Sequence, residues 1–309
     1  LAVMGTPVQV LDALVDIGLV ECLPPDRYML HQTISDYARL QNDNQAAVQR
    51  LIDYFVNFAI EHSVNFDKLD LEINNLLAVC QMAYHNHRTV SFLKLVNAIY
   101  YFLEIRGLYK ICQTLLDQAL DAAQNLEDSD SVAIALYNIG DLGIRTGNFP
   151  LARQYLERSI SICRDIKNHE LEANNLINLG IVCMYSGEWR EGLVYFKQAL
   201  QKNRNWHFAD EESWTLSLLG FACMELCTFQ EGFEYLDQAL QICNQTGNRR
   251  VEGFSWFNRC TIYLPMGNYA AARHAAEVCE VHYKAIGDLR GLAWLSYTHS
   301  RIARQQGNY

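Results

Sequence analysis

His31 closes the apolar run YML and leads into an amphipathic stretch, TISDYARL. A histidine at such a strand-to-helix corner can hold a phosphate, ligate a metal or simply fill the corner. His85 and His87 (YHNHR) put two imidazoles close together, which is one half of a metal site. No cysteine or carboxylate stands at ligand spacing from them, and the spacing places both in a turn between helices. The ten cysteines include no C-x-x-C pair. Cys223 and Cys227 lie one helical turn apart but lack a second ligand pair, and the others fall mostly in apolar helical stretches. There a free cysteine behaves as a small core residue, which predicts a reduced, cytoplasmic protein. Asp128, Ser129 and Asp130 read as a helix start, as do Glu211 and Glu212, rather than as acid–base pairs. No Ser/His/Asp or Cys/His set assembles from spacing, so no catalytic residues are assigned and the chain is expected to be no enzyme.

The elements that carry these residues are helices. The chain has 309 residues, 50% of them apolar and only five prolines, which favours helices throughout and exceeds one compact bundle. The net charge is −10 and no Lys/Arg-rich run occurs, so nucleic acid is a poor partner for this region. No apolar run reaches membrane-span length, and the amino end is not a signal peptide. The first residue is Leu, which suggests a piece of a longer protein.

A period of 40 organises the chain. Tyr109, Phe149, Trp189, Phe229, Tyr269 and Tyr309 share one register; two positions earlier stand Gly107, Gly147, Gly187, Cys227, Gly267 and Gly307. Gly140, Gly180 and Gly220 repeat too, and Ala152, Gly192, Gly232 and Ala272 form a small-residue column. In LINLGIVCMYSGEW the apolar spacing is helical up to Gly187, which suits a left-handed C-terminal cap. A second amphipathic stretch, REGLVYFKQALQ, follows. Gly180 and Gly192 fall on facing surfaces and permit close approach of the two helices. Each unit is a helix hairpin that cannot bury its own apolar face, so neighbours must stack.

These units resemble tetratricopeptide repeats: Gly180, Gly187, Trp189, Gly192, Phe196 and Ala199 follow that pattern, and Asn138, Asn178 and Asn258 stand where it often has Asn. The period departs, at 40 rather than 34. The resemblance covers Ile99 to Tyr309 and implies an all-α solenoid, a right-handed superhelix whose first helices line a concave face. The ligand-facing places of that family are then Tyr137, Asp141 and Arg145; Asn174, Ile177, Ile181 and Tyr185; Trp214, Phe221 and Met224; Phe254, Phe257 and Thr261; and Trp294, Tyr297 and Arg301. They make an aromatic and aliphatic groove without the Lys/Asn/Arg clamp of chaperone-binding members. Two readings of the groove stand: anchor pockets for a protein or peptide, or an apolar stripe covered by neighbouring helices.

Before the repeats, residues 44–64, 70–85 and 90–106 read as three amphipathic helices. The first 40 residues differ: helix (PVQVLDALVDIGL), strand (VECL), strand (RYML), helix, which is the tail of a winged-helix domain. With LHQTISDYA this resembles the signal-transduction ATPases with numerous domains (STAND), NB-ARC-like regulators in which the corresponding histidine contacts the phosphates of bound ADP. His31 is the matching position. No G-x-x-x-x-G-K-[ST] and no Gly-Lys pair occurs, so no cofactor is expected in this chain; ADP or ATP with Mg²⁺ is implied for an intact parent alone. The resulting organisation is a winged-helix remnant at 1–42, a helical arm at 43–106 and a tetratricopeptide-repeat sensor at 107–309, its last repeat incomplete. The implied function is inducer sensing and autoinhibition, with a protein or peptide inducer and an intramolecular NTPase module as partners. The alternatives are a free-standing scaffold for protein assembly and a quorum-type peptide sensor.

Overall fold

The computed structural model of the chain describes residues 8–23, 27–30 and 45–305. Two compact units divide it, Leu1–Leu126 and Glu127–Tyr309. In the first unit α1 (Val8–Asp16) precedes strands β1 (Val20–Leu23) and β2 (Arg27–Leu30). The strands pair antiparallel with Val20 opposite Leu30 and Leu23 opposite Arg27. The helix and hairpin stand where the VECL and RYML runs place them. His31 and the helix expected from Thr33 lie outside the described residues. Then come α2 (Gln45–Glu61), α3 (Phe66–His85), α4 (Thr89–Ile105) and α5 (Tyr109–Asn125). Ile52, Leu69, Leu76, Phe92, Leu95, Ile99 and Phe102 are fully buried among them. Asp70 of α3 takes the Arg106 guanidinium, which tightens the turn that ends α4.

The second unit is a run of hairpins: α6 (Ser129–Arg145) with α7 (Phe149–Ile166), α8 (His169–Tyr185) with α9 (Trp189–Trp206), α10 (Ala209–Glu225) with α11 (Phe229–Thr246), α12 (Arg249–Tyr263) with α13 (Tyr269–Ile286), and then α14 (Leu289–Gln305). The helix ends follow from the sequence. Asn168 caps α8 by accepting the Leu171 amide at 3.0 Å, and Asn248 caps α12 through Val251. Each cap also reaches one repeat back: Asn168 Nδ2 donates to Asp130 (2.8 Å) and Asn248 Nδ2 to Asp210 (2.9 Å). At the other end of α8, Gly187 takes φ 78° and lets the Glu188 amide bond to the Cys183 carbonyl at 2.8 Å.

Within a hairpin the two helices meet at glycine. A Cβ on Gly192 would lie 3.1 Å from the Gly180 carbonyl oxygen, and one on Gly180 would strike the Phe196 ring at 2.4 Å. Phe196 is fully buried in that space, which removes roughly 2–3 kcal/mol worth of apolar surface from water. Successive hairpins are joined by buried polar links as well as by packing. Asn175 Nδ2 donates to Ser159 Oγ (2.9 Å), whose hydroxyl donates to the Ala133 carbonyl (2.8 Å), tying α8, α7 and α6. Glu172, 3% exposed, is held between Arg164 Nε (2.8 Å) and Lys202 Nζ (2.6 Å), so α7, α8 and α9 share one buried carboxylate. Burial opposes its ionisation, but the hydrogen bonds and charges of Lys202 and Arg164 outweigh it and hold the carboxyl below its ordinary value.

Candidate functional site

The first helices of the hairpins, α6, α8, α10, α12 and α14, surround a cavity of about 700 Å³. Its wall on the side of α10, α12 and α14 is a ladder of rings. Trp214 lies 4.8 Å from Phe254, Phe254 lies 6.5 Å from Phe257, and Phe257 lies 6.2 Å from Trp294. Ile144, Ile181, Met184, Leu218 and Met224 also line it. Trp294 is 47% exposed and Trp214, Phe254 and Phe257 are half-buried, while Tyr185 and Tyr297 on the lining are exposed, so among the described residues no side chain fills the cavity.

Charges mark its margin. On α6, Asp141 Oδ1 receives Asn178 Nδ2 at 3.3 Å and faces the Arg145 guanidinium at 3.6 Å. Burial first, and then the Asp141 charge, push the nearby Tyr137 phenol above its ordinary value. On α14, Arg301 lies over the Tyr297 ring at 6.0 Å. Glu225 ends α10, also on the lining.

Of the positions singled out in the sequence, Asp141, Arg145, Ile181, Tyr185, Trp214, Phe221, Met224, Phe254, Phe257, Thr261, Trp294, Tyr297 and Arg301 line the cavity. Tyr137, Asn174 and Ile177 do not. Ile177 is 4% exposed within the core cluster of the repeats, and Tyr137 packs against that cluster. Asn174 is half-buried on α8. Sequence reasoning passed over Ile144, Met184, Glu225 and Pro265, although they occupy the same ligand-facing places, four and five residues beyond the glycine column. Trp189, Leu218 and Thr298 also line the cavity from other columns. Trp189 opens a second helix, and its ring reaches Phe221 at 6.1 Å.

Other clusters have structural explanations. Cys183, Glu188 and Glu191 come within metal-ligand distance of one another. Arg153 occupies their centre: it donates to Glu191 (2.9 Å), pairs with Glu188 and approaches the Cys183 sulfur at 3.4 Å. Burial pushes the Cys183 thiol up to about 11, against the thiolate a metal requires. This is an ion-pair clasp between α7 and α9. His85 closes α3 and His87 sits in the following turn with φ 54°. Asp128 caps α6, accepting the Ser131 amide (3.2 Å) and hydroxyl (2.6 Å), and these bonds hold its carboxyl below the ordinary range. Glu211 and Glu212 lie in the first turn of α10. A second hollow of about 550 Å³, at the turns before α8 and α10, is floored by Trp206 stacked on His169 at 4.1 Å. No helix among the described residues is long and apolar enough to cross a membrane.

The family model for the tetratricopeptide repeat matches residues 98–165 and 144–205. Comparison with curated proteins finds no match. Among solved structures the chain is similar to a STAND protein with a tetratricopeptide repeat sensor from Pyrococcus horikoshii (TM-score 0.59, 16% identity, 95% of this chain and 49% of that one). It thus spans about half the length of that protein. It is also similar to BtubC (BKLC) from P. vanneervenii (TM-score 0.56, 15% identity, 77% of this chain and 92% of that one). A third is a Rap protein complexed with Competence and Sporulation Factor (TM-score 0.61, 12% identity, 90% of this chain and 82% of that one). At such identities the likeness speaks for the fold alone. Repeat spacing, hairpin geometry, family model and structural neighbours agree: residues 98–205 match tetratricopeptide repeats, and the fold is an α-solenoid of that type.

Proposed function

We propose that the chain is the arm and sensor region of a cytoplasmic STAND regulatory ATPase, and that its repeats bind a protein or peptide inducer in the cavity of α6, α8, α10, α12 and α14. The observation that carries this reading is the ladder of rings on three successive inner helices, with charges at its margin. Large aromatic side chains in a concave site are the usual anchors of binding energy. The STAND assignment is supported by the helix and hairpin ahead of the arm and by a match to the STAND protein that runs over 95% of this chain.

The inducer acts by preferring one state of the ATPase. If it bound the open and the silent forms equally it would shift nothing; a shift from 1:99 to 99:1 needs a preference of about 10⁴-fold. In this reading ADP, ATP and Mg²⁺ belong to the NTPase module of the intact protein. Among the described residues the glycines with left-handed φ all follow or close helices, and none forms a strand-to-helix phosphate loop. His31, outside the described residues, lacks such a loop in its own sequence.

Selection of displayed peptides on the 309-residue chain tests the reading. Retained peptides lose at least tenfold in affinity for Trp214→Ala and Phe257→Ala, while added ATP leaves the melting temperature of this chain unchanged. If both variants keep the wild-type partners at unchanged affinity, the cavity is not the binding site. A peptide sensor or assembly scaffold without an ATPase is the second reading, favoured by a Rap match that extends over 82% of that chain.

A further inference from the structure

We infer that the occupant of the cavity is a short free peptide of about five or six residues, apolar in the middle and recognised at both ends: its carboxylate by Arg301 and its ammonium by Glu225. The inference rests on the cavity being the binding site, and adds the chemistry and length of what it takes.

Charge complementarity supplies the first argument. Four charged side chains line the cavity. Asp141 and Arg145 answer each other on α6. Arg301 has a ring beside it rather than a carboxylate, and no ion pair of Glu225 occurs among the described residues. The lining therefore offers one unanswered cation on α14 and one unanswered anion on α10, and α12, which stands between those helices, lines the cavity with Phe254, Phe257, Thr261 and Pro265. A molecule that satisfies all three carries opposite charges at its ends and an apolar centre. A free peptide has that constitution. An internal loop of a folded partner has no terminal charges to offer.

Length supplies the second argument. Packed helices stand about 8–10 Å apart, so α10 and α14, separated by α12, present side chains about 16–20 Å apart. An extended chain advances about 3.3–3.6 Å per residue, which gives five or six residues. A cavity of about 700 Å³ accommodates a ligand of that order and excludes a folded domain. The rings then act as the side-chain anchors, and the two charges set the direction in which the peptide lies. Charge-assisted hydrogen bonds are the stronger class and make that direction specific.

The test uses mass-encoded pools of synthetic hexapeptides, randomised over apolar residues at the four central positions, incubated with the 309-residue chain and recovered by size exclusion. Four pools are compared: free at both ends, acetylated, amidated, and both. The free pool is expected to be retained at least tenfold over the doubly capped pool. Arg301→Gln abolishes the discrimination against amidation, and Glu225→Gln that against acetylation. Arg301→Lys restores part of the first. Both side chains lie at the margin, so melting temperatures stay at the wild-type value and loss of fold is separated from loss of recognition. Equal retention of free and capped pools overturns the inference. If capped hexapeptides or longer internal segments bind and are lost on Trp214→Ala, the cavity still binds peptides and only end recognition fails. If no pool or segment is retained at all, both the inference and the binding site fall.

Discussion

Replacing Glu172 by Gln tests how the hairpin that carries Ile181 and Tyr185 is held. Its carboxylate is 4% exposed and meets Arg164 at 2.8 Å and Lys202 at 2.6 Å. Glutamine keeps the shape but offers one acceptor and turns an N–H toward a cation. Removing one partner of a buried pair costs about 3–5 kcal/mol when the other stays buried. Here Lys202 is 28% and Arg164 59% exposed, so both regain water and the expected loss falls to about 2–3 kcal/mol. With a urea slope of about 2 kcal/mol per molar, the midpoint drops by about 1 M. All five tryptophans lie between residues 189 and 294, so their fluorescence reports on the second unit alone. The pH dependence supplies the second arm. The folded carboxyl lies below its unfolded value, which is about 4.3. Its contribution is therefore complete above that value and disappears as pH falls through the folded value. The gap between wild type and variant should hold from pH 7 to about 5 and close on further acidification. A gap under about 0.5 kcal/mol at pH 7, or one unchanged down to pH 3, refutes the buried clamp.

Gly180→Val should lose about 2 kcal/mol or more, because the Phe196 ring already fills the place of the Cβ; a wild-type urea midpoint would contradict that packing. Gly187→Ala tests a different cause, since nothing stands within 4 Å and only the φ of 78° resists a side chain; the expected loss is about 1 kcal/mol, with Asn milder than Ala. A thiol-reactive probe at pH 8 should label Cys22 and Cys227 quickly and the other eight cysteines only on unfolding, since burial pushes thiols such as Cys80 and Cys279 up to about 12. A third fast thiol would show that the core opens.

The hairpins were legible because each one repeats the same solution at the same spacing: a small residue where two helices meet, glycine at most left-handed turns, a ring two residues on. Cys227 shows the limit of that reading. It holds φ 57° where its neighbours have glycine, a strain that the sequence marks only as a lapse in a column. Much of the lining follows the repeat columns, but Trp189, Leu218 and Thr298 come from other columns, and the columns do not record how depth varies along the stack. At the place six before the glycine column, Trp214, Phe254 and Trp294 are large enough to reach the cavity, whereas Asn174 is not. Tyr137 and Ile177, three before it, are drawn into the packing of α6 and α8. Which face a side chain takes depends on the neighbouring repeat, and a periodic pattern carries no record of that.

The cavity joins what the chain keeps apart. Arg145 and Arg301 border the same space across 156 positions of sequence, although each hairpin packs chiefly on the next. An array of that kind frays from its ends, each segment melting almost on its own account. An occupant seated in the middle would behave like the keystone of an arch, converting a chain of local bonds into one closed circuit. Saturation should then show itself far from any contact, as slower hydrogen exchange in α6 and α14 together.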